Sequence, residues 1–492
     1  MSDRENPVKP GRSKWYNNSV VPVLPALIES ARWYSGKGKS IENVQLLDYG
    51  ILDATGKVII ALVQISYAQD GTEIYLLPQR ITEDNSMPVE DAVSSKEFIS
   101  SALDIIFRGS VVSLENGRIF GVLEADDRPA PEGNLSVRTV SAEQSNTSVI
   151  IDDKLVYKSF RKLSSGDNPD YSVSSYLRRK CDFPWVPETL GRIVVESKGW
   201  RYDAGTLTAY IRDAADGFNL SVKIIKSAMA DFSAGNTEDA HVVEGMIIAR
   251  MARLGNTTGV MHNCFSRNSQ RMDFQPEPIR NEDILTWMAG YKSLLGEAWR
   301  SLESLEGSGL DRLRSTAETV LKGMGNNDIF TKYMTKLPDN AIYKTRIHGD
   351  FHLGQTLVSG EDFYIIDFEG EPMRPMEYRI GKFMPLKDVG GMVRSIEYAV
   401  DMASQQFKDM TTILNYAGSL KKDLKDSFLS AYYDAYDPVN IYLPEDKELR
   451  DGVLGFFTAE KALYEVIYEI RNRPNYASIP LTALKGLVSG AA

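Results

Sequence analysis

The strongest constraint in this 492-residue chain is a change of hydrophobic period near Gly217. Before it, apolar residues fall in short alternating runs at 43–52 (NVQLLDYGIL), 57–68 and 73–81, with Asp70-Gly71 between the last two. Such runs bounded by turn residues read as strands and hairpins. After Gly217, apolar positions recur at helical spacing over roughly 219–232, 238–264, 282–304, 309–322, 386–407, 420–436 and 444–471. Only 341–372 interrupts that half, with short strand-like pieces and dense polar residues. The pattern predicts an α+β protein, β-rich first and mostly helical afterwards.

Local signals divide the first half further. Residues 20–37 read as a helix stopping at Gly36, and 95–107 as a second helix. The segment 110–123 reads as a hairpin turning at Asn116-Gly117. The stretch 124–134, rich in Pro, Gly and acids, is the best linker candidate. Beyond it, 136–163 reads as three strands with turns at 143–148 and Asp152-Asp153; a helix opening near Pro169 and extended segments over 189–212 follow.

Composition removes several classes. The chain has 56 Lys+Arg against 67 Asp+Glu, a net charge of −11, so it lacks the basic surface that binds nucleic acid. Its two cysteines, Cys181 and Cys264, lie too far apart in sequence for a CxxC pair and fit a reducing cytoplasm. The first residues contain no apolar signal-peptide core, and no apolar stretch is long enough to span a bilayer. A cytoplasmic protein without membrane or nucleic-acid partners is expected.

The chemistry concentrates in 346–372, RIHGDFHLGQTLVSGEDFYIIDFEGEP. Asp350 follows His348-Gly349, Gln355 comes five residues later, and the strand 363–366 delivers Asp367-Phe368-Glu369. Phosphoryl transfer needs a carboxylate to orient the acceptor hydroxyl and oxygen ligands for Mg²⁺. The spacing resembles the paired catalytic-loop and metal-binding motifs of protein kinases, with Gln355 where Asn is usual. Order, spacing and the intervening strand agree, which a chance His-Gly-Asp triplet would not give. His348 is expected to prop the loop rather than to transfer protons.

Upstream, the turn at 143–148 sits between strands, as a phosphate-covering loop must. It lacks glycines, so backbone amides and the side chains of Ser145, Asn146, Thr147 and Ser148 would meet the phosphates of ATP. Lys158, on the next strand, is the candidate for the α/β-phosphates. The helix after it offers Asp170 as a carboxylate partner, in an unusual place at the first turn.

These segments, with RWYSGKGKSIENV near the N-terminus, EQSNTSV, YKSFRKL, PLKDVGGMVRSIEYA and EKALYEVIYEIRNRP, resemble bacterial maltokinases. Those are sugar kinases with the aminoglycoside-phosphotransferase type of protein-kinase-like fold. The resemblance covers nearly the whole chain. It implies a bilobal fold with an extra N-terminal cap subdomain: cap at 1–130, small lobe at 131–215 and helical lobe at 216–492. It also implies ATP-dependent phosphorylation of maltose to maltose 1-phosphate for glycogen or α-glucan synthesis, and a trehalose synthase-type partner. By that similarity Asp350 is the catalytic base, Gln355 and Asp367 hold Mg²⁺, and Lys158 holds phosphate. The family's Glu on the helix after the lysine strand is replaced here by Tyr171-Ser172, which leaves the partner of Lys158 open.

Lys461, Tyr464 and Tyr468 share one helix face. They either pack into the bundle or present a donor and stacking rings to a sugar. Arg394 is a further candidate for that site, Met392, Ile396 and Val400 are expected in the core, and Glu465 and Glu469 in solvent. Two rivals stand beside maltose phosphorylation. One is a kinase of glucosamine or an aminoglycoside, which would need acids such as Glu369, Glu371 and Glu397 at the acceptor. The other is a pseudokinase scaffold for a glucan-pathway enzyme, against which Asp350, Gln355 and Asp367 together weigh.

Overall fold

Alternation governs the first half. Ile41–Ile51, Val58–Tyr67 and Gly71–Ile81 form an antiparallel meander, and Val89–Asp91 and Lys162–Leu163 both pair with Gly71–Ile81. The strand Val58–Tyr67 is covered on both faces, hence its nearly unbroken apolar run. Ile59, Ala61, Val63 and Ile65 share a core with Tyr16, Val20, Leu24 and Ile28. Ile60 and Leu62 share another with Phe98, Ile99 and Leu103 of the helix Lys96–Phe107, whose first turn is capped by Ser95. The structure, a computed structural model, describes residues 12–489 except 35, 37, 70, 85–87, 125–129, 132, 141–145, 305–310, 327–329, 373 and 408–409. Ser145 and much of the expected linker lie outside the described residues.

A second antiparallel sheet runs in the order Val112–Ser113, Gly117–Leu123, Thr189–Ser197, Trp200–Ala209, Leu155–Phe160, Asn146–Ile151, Val137–Thr139. Both sheets therefore mix strands from 1–130 and 131–215. Gly117–Leu123 pairs with Thr189–Ser197, and Gly71–Ile81 with Lys162–Leu163. The two expected segments fold as one compact unit, residues 1–180 and 186–212. Composition marks a flexible stretch but carries no record of which strand edges pair across it.

Two expectations shift here. The helix read over 20–37 is three short pieces of different pitch, Tyr16–Val20 (π), Val21–Val23 (3₁₀) and Leu24–Ser30 (α). Pro22 and Pro25 each remove an amide donor, and the pitch changes beside them. The turn read at 143–148 ends earlier, because Asn146 already pairs with Phe160 in the ladder.

The second unit comprises 181–185 and 213–492. Its long helices include Gly217–Ser233, Thr237–Phe265, Asn281–Glu303, Leu386–Ser404, Thr411–Asp434 and Lys447–Asn472. Met392, Ile396 and Val400 are buried, as their spacing predicts. The helix expected from 420 begins at Thr411, and Ser478–Ser489 adds a helix the periodicity did not resolve. The interruption at 341–372 contains the hairpin Thr356–Ser359 and Asp362–Ile365, extended by Ala215–Asp216. Among the described residues, no helix is long and apolar enough to cross a membrane.

Candidate active site

The loop at 348–350 is held from beneath by one buried carboxylate. Asp388, on the first turn of Leu386–Ser404, accepts from the amides of His348 (2.7 Å) and Gly349 (2.9 Å). Its Oδ2 also lies 3.2 Å from His262 Nε2, whose Nδ1 is 3.0 Å from the Tyr432 hydroxyl. Burial would raise the Asp388 carboxyl, yet the hydrogen bond from His262, the nearby His348 and the Gly349 amide hold it below the ordinary range. Gly349 adopts φ +88°, and a Cβ there would come within 3.3 Å of the Gly370 Cα, so the position suits glycine. Gly390 and Gly391 let the supporting helix close in on two sides. A Cβ on Gly391 would stand 2.6 Å from the Phe351 carbonyl oxygen, and one on Gly390 2.9 Å from the Thr458 amide.

His348 is hydrogen-bonded at both ring nitrogens. Its Nδ1 accepts from the Asp350 amide at 3.3 Å, so Nε2 carries the proton donated to the Ile366 carbonyl at 2.9 Å. That second bond ties the loop to the strand leading into Asp367.

Asp350 projects into a cluster of charges. Lys461 Nζ lies 2.7 Å from Asp350 Oδ1 and 3.3 Å from Glu371, and 4.7 Å over the Tyr464 ring. His352 Nε2 is 3.9 Å from the other Asp350 oxygen. Burial would raise the Asp350 carboxyl, but Lys461 foremost, then His352 and His348, hold it well below the usual carboxylate range. Asp350 is thus ionised. Around it, Arg374 pairs with Glu371 (3.2 Å) and reaches Glu460 (3.7 Å), which also takes Lys387 (2.6 Å). Three carboxylates meet three cations.

The hairpin register places the candidate metal ligands side by side. Thr356 pairs with Ile365, and the Ile366 amide donates to the Gln355 carbonyl at 3.0 Å, so Gln355 and Asp367 flank the open end of one ladder. Asp367 has φ +65°, which turns the chain sharply there. Carboxylate oxygens of Asp367 and Glu369 lie within 4.8 Å of each other, and Arg379 Nη2 also reaches Glu369 at 3.2 Å. Two carboxylates and an amide are hard oxygen donors of the kind Mg²⁺ takes. Glu369 was not among the expected metal ligands, which were Gln355 and Asp367. Its place two residues after Asp367 was the signal for a metal-side role.

In the first unit, Lys158 has a partner after all: its Nζ is 2.9 Å from Asp170 Oδ2. The Asp170 backbone is fixed in turn by its amide N–H, which donates to Asn168 Oδ1 (2.8 Å). Ser148 stands opposite Lys158 across the ladder. Thr147 Oγ1 accepts from Arg161 Nε (3.0 Å) and Nη2 (2.9 Å), so that hydroxyl oxygen is already engaged.

Of the residues expected at a sugar site, Lys461, Tyr464 and Tyr468 are all half-buried, and Lys461 meets Asp350 directly. Arg394 requires correction. It is 0% exposed, donating Nη1 to Glu397 (2.6 Å) and Nη2 to Glu465 (2.8 Å), a bridge between two helices without a donor reaching outward. Glu465 and Glu469 are also misread as solvated. Glu469 is 2% exposed, accepting from Tyr398 (2.9 Å) and Arg473 (2.6 Å). Arg473 lies one turn on, but Arg394 and Tyr398 come from another helix, which a single helical wheel cannot show. Neither His262 nor Asp388 carries a local signal in the sequence. Only tertiary packing reveals that they support the loop.

No protein-family model matches the chain. It is 24% identical over 368 residues to a glucosamine kinase of Mycolicibacterium smegmatis, covering 71% of this chain and 79% of the relative. It is 23% identical over 371 residues to a glucosamine kinase of Streptacidiphilus jiangxiensis, covering 75% and 76%. Among solved structures, a glucosamine kinase superposes with a TM-score of 0.66 at 18% identity over 94% of this chain and 99% of the other. A glucosamine kinase in complex with glucosamine, ADP and inorganic phosphate gives 0.63 at 17%, over 95% and 100%. The fold is α+β and of the glucosamine-kinase type, with β-rich sheets followed by a helical region.

Proposed function

We propose that this chain is an ATP-dependent phosphotransferase acting on a sugar hydroxyl. The observation that carries the reading is Asp350, ionised on a loop braced by Asp388 and His348. A sugar hydroxyl donating to Asp350 would be oriented for in-line attack on the γ-phosphorus. A carboxylate held so acidic is a weak base, which suits a loose transition state where the proton leaves late. Lys461 would neutralise charge beside the acceptor oxygen and, with Tyr464 and Tyr468, bind the sugar. Arg394 would set Glu465 rather than touch the sugar. Gln355, Asp367 and Glu369 would hold Mg²⁺, which when bound neutralises the transferring phosphates. Lys158, steadied by Asp170, would hold the nucleotide phosphates near Asn146 and Ser148. Free thiols and ATP dependence fit the cytoplasm.

The substrate we favour is maltose, phosphorylated at its anomeric hydroxyl. Beyond the resemblance, charge balance supports a neutral sugar: Asp350, Glu371 and Glu460 are each already paired with a cation. An ammonium-bearing acceptor would need a carboxylate in surplus. The glucosamine kinases it resembles in sequence and fold favour a second reading, phosphorylation of glucosamine. The trehalose synthase-type partner stands or falls with maltose. ADP release over a panel of maltose, glucosamine, glucose and an aminoglycoside, with NMR of the product, separates these. Maltose is expected to give ADP and a phosphorus coupled to the anomeric proton. Strong preference for glucosamine would overturn maltose alone, whereas ATP·Mg binding without turnover of any sugar would overturn the phosphotransferase and favour the scaffold.

A further inference from the structure

We infer that Cys181 and Cys264 form a redox-modifiable dithiol whose closure to a disulfide disturbs the support beneath the loop at 348–350. The inference is independent of the phosphotransferase reading. The chain contains only these two cysteines, and the fold brings them together. Cys181 opens the segment Cys181–Trp185, which is anchored where the Trp185 carbonyl accepts from the Ile365 amide at 2.8 Å. The Cys181 thiol donates to the Cys264 carbonyl oxygen at 3.8 Å, which sets the two residues side by side. Cys181 is half-buried and Cys264 is 1% exposed, so a reagent meets Cys181 first and Cys264 waits behind it.

The two thiols differ in acidity in the sense that exchange chemistry needs. The neighbouring Cys264 thiol lowers the Cys181 thiol against its burial, with help from Arg267. The neighbouring Cys181 and burial push the Cys264 thiol up. Cys181 is therefore the more readily deprotonated of the two, and Cys264 keeps its proton longer. With a low-molecular-weight disulfide RSSR, Cys181 attacks one sulfur, a protein–SR bond forms and RS⁻ leaves. Cys264 then attacks Cys181 Sγ, the second RS⁻ departs, and it takes the Cys264 proton. Two electrons pass from the protein sulfurs to RSSR, which becomes two thiols once the first RS⁻ is protonated by solvent.

The consequence follows from position. A disulfide requires the sulfurs to close to about 2.05 Å, and Cys264 sits in the last turn of Thr237–Phe265. One residue earlier, Asn263 donates to the Ala435 carbonyl (2.7 Å) and accepts from the Tyr442 hydroxyl (2.9 Å). Two residues earlier, His262 meets Asp388, which holds the amides of His348 and Gly349. A shift in this turn reaches the loop through one side chain.

The test equilibrates the full chain in glutathione buffers of rising GSSG:GSH ratio. It follows intact mass, the 181–264 peptide link and amide hydrogen exchange at 348–349. Loss of two hydrogen masses, the linked peptide and at least about threefold faster exchange at those amides are expected on oxidation. Cys181→Ser should abolish all three. Two free thiols at the most oxidising ratio, or a stable glutathione adduct on Cys181 with no link, would overturn the dithiol. A complete link with unchanged exchange at 348–349 would overturn its coupling to the loop.

Discussion

In the first unit Lys158 meets Asp170 at 2.9 Å, with side chains 12% and 10% exposed; in the second, Lys461 meets Asp350 at 2.7 Å, with both at 13%. Distance and burial scarcely distinguish them, but their surroundings do. Lys158 and Asp170 are twelve residues apart, on a strand and the helix that follows it. Lys461 and Asp350 are 111 residues apart, and their pair is joined by Glu371 and His352 on a loop braced by Asp388. A local pair orients one lysine. The long-range pair sets the charge of a carboxylate inside a network, which is what an acceptor-orienting group needs.

Neutralising each aspartate without changing its shape measures that difference. Asp350→Asn should lower turnover by about 10²-fold or more while the protein stays folded. Asp170→Asn should act mainly on the nucleotide, raising its KM about tenfold with a smaller change in kcat, since Lys158 would lose only its orientation. Steady-state kinetics with ATP and the sugar identified by the panel checks both. Equal losses of kcat in the two variants would erase the distinction, and near-wild-type turnover of Asp350→Asn would remove Asp350 from the chemistry.

A smaller effect, on stability, tests the brace. Asp388 is 2% exposed and accepts from two amides and His262, so Asp388→Asn leaves buried donors short of a charged acceptor. The cost should be about 2–4 kcal/mol, seen as a lower urea midpoint at unchanged slope. Asp170→Asn, losing one local pair, should move the midpoint much less. A wild-type midpoint for Asp388→Asn would mean the loop is held by other contacts.

The sequence made the long-range chemistry legible where it was written locally and hid it where packing makes it. Asp350, Gln355 and Asp367 announce themselves because a loop, a turn and a hairpin fix their spacing within 18 residues. The strands of the first unit were legible for the same reason, since alternation is a short-range property. Asp388 and His262 were not, because their partners come from distant loops and helices. Arg394 looked available to a ligand until Glu397 and Glu465 enclosed it. The merging of 1–130 with 131–215 is not legible in the sequence because strand pairing across a linker leaves no periodic trace.

The smallest effect separates Asp350 from its neighbour. Burial pushes His352 down to about 4; Asp350 pulls against it, while Lys461 and His348 add to it. An unfolded histidine titrates near 6.5, so between about 6.5 and 4 the unfolded chain binds more protons than the folded one. Stability should therefore fall as pH drops through that window and level off below it. Asp350 contributes in another range: its carboxyl is lowered, so its share is present above about 3.9 and lost as pH falls further. His352→Asn removes the upper window, while Lys461 still keeps the Asp350 share below it. Because the His352 side chain is 33% exposed, the difference should be about 1–2 kcal/mol, less than the full shift would give. Urea denaturation of wild type and His352→Asn at pH 7.5 and 4.5 reads it directly. Curves that stay parallel between the two pH values would mean that His352 keeps its ordinary titration beside Asp350, and that the charge cluster shields the aspartate alone.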